Sequence, residues 1–313
     1  MRPSHLFPLR AYAPWVHIAR KVLLMLKIVI NPRYAHLKEF ITAIATGQVV
    51  YDAVLQKEKH LVVRLAAPEG YPLVVKLFSI HTWPMRIALS GPKRSKPRKS
   101  FESSRLLEEY GIAAADPVAY VESYRYGLYR TGYYIARFID APTLASADTW
   151  PRDQRKAILR ELARFTADLH AKNIRHGDYS KRNILFHQRN GQYSFSLVDT
   201  GSIRLHPLSR KDCAEALAPL LFPFIQEEIS EFVSLYSTLR GWSPDELWKE
   251  LRIVNAKYEA RDAARARPRW GKRLRNFARR LLRIHESPPS WEHLALENPA
   301  PAAKEPPHGP DTA

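Results

Sequence analysis

His176-Gly177-Asp178-Tyr179-Ser180-Lys181-Arg182-Asn183, followed after a short β-rich connection by Leu197-Val198-Asp199-Thr200-Gly201, decides the fold of this chain. The first stretch reads H-x-D-x-x-x-x-N, and the second sets an aspartate at the end of an apolar run. Metal-dependent phosphoryl transfer needs this order of groups. Asp178 accepts or orients the proton of an attacking hydroxyl, and the amide of Asn183 reaches a magnesium ion. Asp199 supplies the second carboxylate, which holds the metal that bridges nucleotide phosphates. Upstream, Ile158, Leu162, Phe165 and Leu169 recur at helical spacing, so a helix over 152–172 delivers the loop. Downstream, 183–186 and 195–198 read as two strands joined by the polar turn Arg189-Asn190-Gly191. Either fragment alone also fits a capped turn or a plain strand end. Both together, behind an amphipathic helix and below a strand lysine, favour phosphoryl transfer.

Composition narrows the partners. With 313 residues the chain can bury one large core or two lobes, and 45% apolar content excludes a mainly disordered chain. The 49 basic residues against 31 acidic ones give a net charge of +18, which implies an anionic partner: nucleic acid, an acidic membrane surface or a phosphorylated substrate. The single Cys213 excludes an internal disulfide and argues against a cysteine-based metal site. The most apolar N-terminal run, Val22 to Ile30, falls well short of the ~20 residues that cross a bilayer. No secretory signal is evident, and the expectation is a soluble or peripheral protein.

Taken in order, residues 1–46 read as a basic, partly helical lead-in. Trp15, Ile18, Val22, Met25 and Leu26 share a helical face suited to an interface or to a neighbouring lobe. Residues 47–140 form the expected first lobe, with strands over 49–55, 61–65, 73–78, 117–121 and 133–139. Lys76 sits inside the third run, where a buried ammonium costs desolvation unless an anion meets it. The competing reading is an outward-facing lysine on an edge strand. A basic run over 93–99 leads into a helix over 101–110. On that helix Glu102 is the expected partner of Lys76, because Glu108 and Glu109 lie near the exit, where acidic side chains oppose the dipole.

Asp140-Ala141-Pro142 marks the expected lobe boundary, and 141–286 the second lobe. There a helix over 210–218 is expected to be interrupted by Pro219 and Pro223, followed by one over 225–239. Ser243-Pro244-Asp245-Glu246 is a helix start with a serine cap and a capping-box glutamate. Residues 261–283 are dense in arginine, with Trp270, Leu274, Phe277 and Leu281 on one face. This suits an anionic membrane surface; RNA binding and ordinary lobe packing compete with it. Residues 287–313 are proline-rich, and a disordered tail is expected.

In this order the residues resemble the bacterial lipopolysaccharide-core kinases of the protein-kinase-like superfamily, the kinases of Kdo and core heptose. The resemblance runs over about residues 45–285 and rests on Val74-Val75-Lys76-Leu77-Phe78, Ser100-Phe101-Glu102-Ser103 before Gly111-Ile112, Pro117-Val118-Ala119-Tyr120, and His176-Gly177-Asp178 with Asn183. The ending Gly271-Lys272-Arg273-Leu274-Arg275-Asn276-Phe277 is similar to that of the core heptose kinases. The resemblance implies an α+β, bilobal protein-kinase-like fold with an antiparallel-sheet N-lobe and a mainly helical C-lobe. It implies phosphorylation of a heptose or Kdo hydroxyl of the lipopolysaccharide inner core, with ATP and Mg2+. The expected location is cytoplasmic, peripheral on the inner face of the inner membrane. By motif position Lys76 would bind phosphate, Glu102 would hold Lys76, Asp178 would be the catalytic aspartate, and Asn183 and Asp199 would bind metal. A glycolipid substrate and an anionic membrane surface are the implied partners, and nucleic acid is not expected.

Four departures bear on the acceptor. Gly177 replaces the arginine of H-R-D, Thr200 replaces the phenylalanine of D-F-G, no A-P-E follows Asp199, and no G-x-G-x-x-G precedes Lys76. These argue against a phosphorylation-regulated protein kinase and for a glycolipid or small-molecule acceptor. Two other readings stay open on the sequence. One is a soluble small-molecule kinase resembling aminoglycoside phosphotransferases, and the other a non-catalytic basic membrane- or RNA-binding protein on a kinase scaffold.

Overall fold

The computed structural model describes residues 24–57, 60–79, 82–222, 224 and 226–266. In chain order the elements are β1 (Leu24–Ile30), α1 (Lys38–Thr46), β2 (Ala53–Gln56), β3 (Leu61–Ala66), β4 (Pro72–Ser79), α2 (Trp83–Ser90), α3 (Lys96–Glu109), β5 (Pro117–Arg125) and β6 (Leu128–Arg137). They continue with α4 (Arg152–Ala171), β7 (Ile174–His176), β8 (Ile184–Arg189), β9 (Gln192–Leu197), β10 (Ile203–Leu205), α5 (Arg210–Leu221), α6 (Gln226–Leu239) and α7 (Pro244–Ala266). Two compact units result. The described residues up to Lys93, with Ala119–Ile135, make the first; Arg94–Val118 and those from Ala136 onward make the second.

A six-stranded sheet, ordered β1-β5-β6-β4-β3-β2, dominates the first unit. Strands β3 and β4 follow the two-residue period of a half-buried sheet, with Leu73, Val75 and Leu77 of β4 buried while Val74 and Lys76 face the other way; β5 and β6 are buried along most of their length. Val63 and Leu65 of β3, and Ile41 and Ile44 of α1, are buried in this unit as well. The turn between β5 and β6 forms at Tyr126 and Gly127, with φ of 53° and 75°, the left-handed pair that a two-residue hairpin favours.

Met25 and Leu26 do not lie on a helix. They belong to β1, which pairs antiparallel with β5 from Leu24↔Arg125 to Ile30↔Ala119. The β-branched end Ile28-Val29-Ile30 suits a pleated surface, and a seven-residue ladder outweighs a helical spacing of a few apolar positions. Trp15, Ile18 and Val22 lie outside the described residues.

In the second unit, α4 carries a buried stripe of Ile158, Leu159, Leu162, Ala163, Ala167 and Leu169 that shares one core with Phe232, Val233 and Tyr236 of α6. Polar ties cross between these helices as well, and Arg160 donates to Glu231 at 2.8 Å. Arg155 Nη2 lies 2.6 Å from the buried Glu228 carboxylate, and His170 Nδ1 lies 2.6 Å from the Tyr236 hydroxyl. Burial lowers the His170 pKa to about 3, so the ring is neutral in the fold.

Pro219 does not end α5, which runs through it to Leu221. A proline inside a helix removes one backbone bond. Here Leu217, Ala218, Leu220 and Leu221 are all fully buried, and their packing carries the last turn. Pro223 lies outside the described residues. The start of α7 matches its capping signal: Ser243 Oγ accepts from the Asp245 N–H at 3.3 Å, and Glu246 accepts from the Ser243 N–H at 3.1 Å. The basic segment beyond Ala266 and the proline-rich 287–313 lie outside the described residues. Among the described residues no helix is long and apolar enough to cross a membrane.

Candidate active site

Strand β7 pairs with β10, setting His176 opposite Ile203, and the loop that follows is held tightly from behind. Gly177 donates its N–H to the Ser202 carbonyl at 3.2 Å. A Cβ on Gly177 would stand 2.9 Å from that same oxygen. The second motif position therefore has no room for a side chain, which is why no arginine follows His176. His176 is buried and joins both halves of the motif. Its Nδ1 accepts from the Asp178 N–H at 3.2 Å, so Nε2 carries the proton and donates to the Val198 carbonyl at 3.2 Å. Burial lowers its pKa against the opposing pull of Asp199 and Asp178, which favours this neutral tautomer.

Below the loop, Thr166 of α4 donates to the Leu162 carbonyl at 2.7 Å and so accepts from the Tyr179 hydroxyl at 2.8 Å. Lys181 donates to Asp148 at 2.5 Å and lies 4.2 Å over the Phe224 ring. With both flanks pinned, the Asp178 side chain stays exposed. Asn183 donates Nδ2–H to the Asp178 carbonyl at 2.8 Å, and the Asn183 carbonyl accepts from the Val198 N–H at 3.0 Å. The amide's orientation leaves Oδ1 as its cation-binding atom. Asp178, Asn183 and the residue before Asp199 are thus brought together by backbone-anchored bonds.

Asp199 adopts φ 54° and ψ 47°, a left-handed conformation that costs a non-glycine residue about 1–2 kcal/mol. The hydroxyl relay that follows it holds it there. Thr200 is buried, and its Oγ1 donates to the Ser100 carbonyl at 3.1 Å. It therefore accepts from Ser104 Oγ at 2.8 Å. Gly201 completes the fit, since a Cβ there would stand 2.7 Å from Ser100 Oγ. In place of a D-F-G phenylalanine, a threonine docks Asp199 on α3 by hydrogen bonds. The sequence reading missed Ser104 and Thr200 as site residues. The available signal was Ser100 and Ser104, one turn apart on a helix otherwise rich in charge.

Lys76 lies on β4, between β6 and β3, so it is not on an edge strand. It pairs with Val62 and its Nζ lies 5.4 Å from the Phe78 ring centroid. Glu102 lies in the second turn of α3, where it accepts from Arg98 Nε at 2.7 Å and sits 3.3 Å from Arg94 Nη1. The helix begins at Lys96, earlier than expected, because Ser95 caps the Arg98 N–H at 3.3 Å and Pro97 fits the first turn. Lys96, Arg98 and Lys99 of the basic run therefore lie in the helix, while Lys93 and Arg94 precede it. Its cations oppose the dipole at that end, and Glu102 offsets part of this.

The donor set suits magnesium. Among the described residues no cluster of three or more His, Cys, Asp or Glu side chains could hold a metal. Asn183 and Asp199 offer one amide and one carboxylate, both hard oxygen donors. Magnesium keeps several waters and binds through one or two carboxylates plus phosphate, so the sparse set fits.

Residues 94–236 match the family described as Lipopolysaccharide kinase (Kdo/WaaP) family, a narrower span than the motifs cover. Among solved structures, WaaP in complex with acyl carrier protein is similar with a TM-score of 0.53 and 16% identity, over 77% of this chain and all of that one. The Rio2 kinase–ADP/Mg2+–phosphoaspartate complex from Chaetomium thermophilum gives 0.43 and 14%, over 80% and 85% of the respective chains. No curated protein matches the sequence. The likeness to WaaP establishes a protein-kinase-like fold.

Proposed function

We propose, from the premise that over residues 94–236 the chain belongs to the lipopolysaccharide kinase (Kdo/WaaP) family and is a phosphotransferase acting on a sugar hydroxyl, that its acceptor is a heptose or Kdo of the lipopolysaccharide inner core. The observation that carries this is the joining of Asp178, Asn183 and the Asp199 strand end through His176. Bound ATP–Mg2+ supplies the γ-phosphoryl group and neutralises charge on the phosphates. Asp178, exposed on a pinned loop, takes or orients the proton of the acceptor hydroxyl. Asn183 Oδ1 and the Asp199 carboxylate would hold the cation. Lys76 is assigned to the nucleotide phosphates by its place in the motif order.

The reaction takes place at the cytoplasmic face of the inner membrane, with the protein peripheral to it. The net charge of +18 supports this reading, because the acceptor and the surface that carries it are both anionic. The test is transfer from labelled ATP–Mg2+ to purified, underphosphorylated lipid A–core, with Asp178→Asn in parallel. Label in the core sugars with the unaltered protein only is the expected result. Nucleotide binding without transfer to any core sugar would overturn the acceptor and move the search to small sugars and aminoglycosides.

A further inference from the structure

Against the catalytic loop the second unit holds a cavity of about 180 Å³, walled by Arg175 and Gly177, by Glu215 of α5, and by Lys257, Tyr258 and Arg261 of α7. That is the share of liquid volume taken by about six waters, enough for a hydrated phosphate or carboxylate. Gly177 precedes Asp178, so one wall of the cavity is one residue from the reacting carboxylate. The charges in it are unevenly matched. Arg175 spends both terminal nitrogens on acids, lying 3.1 Å from Asp212 and 3.0 Å from Glu215. Lys257 and Arg261, one helical turn apart on the same face of α7, have no carboxylate within ion-pair distance among the described residues. Two like charges at that spacing repel each other until an anion sits between them. Tyr258, partly exposed beside them, offers an aromatic wall of the kind on which a sugar face can rest.

We propose that this cavity is an acceptor subsite, in which Lys257 and Arg261 grip a phosphate or carboxylate borne by the sugar and so bring a hydroxyl to Asp178. The proposal rests on the reading that the acceptor is an anionic core glycolipid. Remote binding of this kind raises efficiency by orienting the reacting group rather than by chemistry.

The test uses Lys257→Gln and Arg261→Gln, singly and together, on the full chain. Both side chains are exposed, so melting temperature should hold and serves as the folding control. In the first arm ADP–Mg2+ saturates the nucleotide site and inorganic phosphate is titrated calorimetrically. Binding should weaken by about tenfold or more in the double variant. Equal binding in both proteins, or none in the unaltered one, overturns the proposal. In the second arm KM is compared for a core acceptor with and without its anionic groups. The double variant should raise KM by about tenfold for the anionic acceptor alone, with KM for ATP unmoved. Weaker phosphate binding with unchanged acceptor KM would mean that the cavity takes free phosphate, and would overturn the acceptor role. Failure of transfer to every core acceptor would sink the function proposed above, while the phosphate titration still decides whether the cavity binds anions.

Discussion

The two carboxylates of the site are held in place by different means. Asp178 stands on a loop fixed by its own neighbours in sequence: His176, Tyr179 and Lys181 all lie within three residues of it. Asp199 stands in a left-handed conformation fixed by a hydroxyl relay to α3, about a hundred residues earlier in the chain. A carboxylate that meets a mobile acceptor can be exposed on a rigid loop. Asp199, assigned to the cation, has its backbone fixed by an outside reference, and α3 provides it. The lesson is that the polar contacts of a buried threonine can replace the apolar packing of a phenylalanine in fixing such an aspartate.

The largest expected effect comes from removing the reacting group. Asp178→Asn should lower kcat by about 10²–10⁴-fold, measured in the lipid A–core transfer assay, with the melting temperature unchanged because the side chain is exposed. Retention of near-full activity would break the assignment of roles to the two carboxylates.

The comparison sharpens at the supports. Thr200→Val leaves Ser104 Oγ and the Ser100 carbonyl without the relay inside a buried site, and should cost about 1–3 kcal/mol in urea unfolding. It should also raise the KM for ATP–Mg2+, whereas Thr200→Ser, which keeps the hydroxyl, should recover most of both. Tyr179→Phe removes one bond to Thr166 and should cost only about 1 kcal/mol, with KM for ATP–Mg2+ unmoved. If the two variants behave alike, the supports of the carboxylates are not distinct. Gly177→Ala should cost about 1–3 kcal/mol, because its Cβ meets backbone. Gly201→Ala should cost less, since it meets a serine hydroxyl that can turn.

The smallest effect at neutral pH is acid sensitivity. The folded His170 pKa is lowered from 6.5 to about 3 by burial, so the unfolded chain binds the extra proton. Its contribution is fully present above pH 6.5 and is lost as pH falls below that value toward 3. Unfolding free energy should drop by up to about 1.4 kcal/mol per pH unit for this group, with His176 adding in the same direction. Urea midpoints between pH 7.5 and 4.5 check this, and a flat profile would contradict a neutral buried ring.

Much of the fold and half of the site were legible in the chain itself. Short apolar runs bounded by turns, and positive-φ turn pairs such as Asn190-Gly191, mark β8, β9 and the first-unit strands, because backbone geometry and burial act over a few residues. The order of Asp178, Asn183 and Asp199 was legible for the same reason, since the chemistry needs those groups at fixed short spacings. What only the tertiary structure decided are features made by distant segments. Met25 and Leu26 became a strand because β5 was there to pair with, and α5 ran through Pro219 because a core was there to bury its end. Thr200 became a support because Ser100 and Ser104 stand against it, and Lys257 and Arg261 came to share a cavity with Gly177 because α7 packs on α5. Local sequence sets the preferences of the backbone and the chemistry of each group; contacts between distant segments come from the closure of the whole chain, and no short window of residues encodes them.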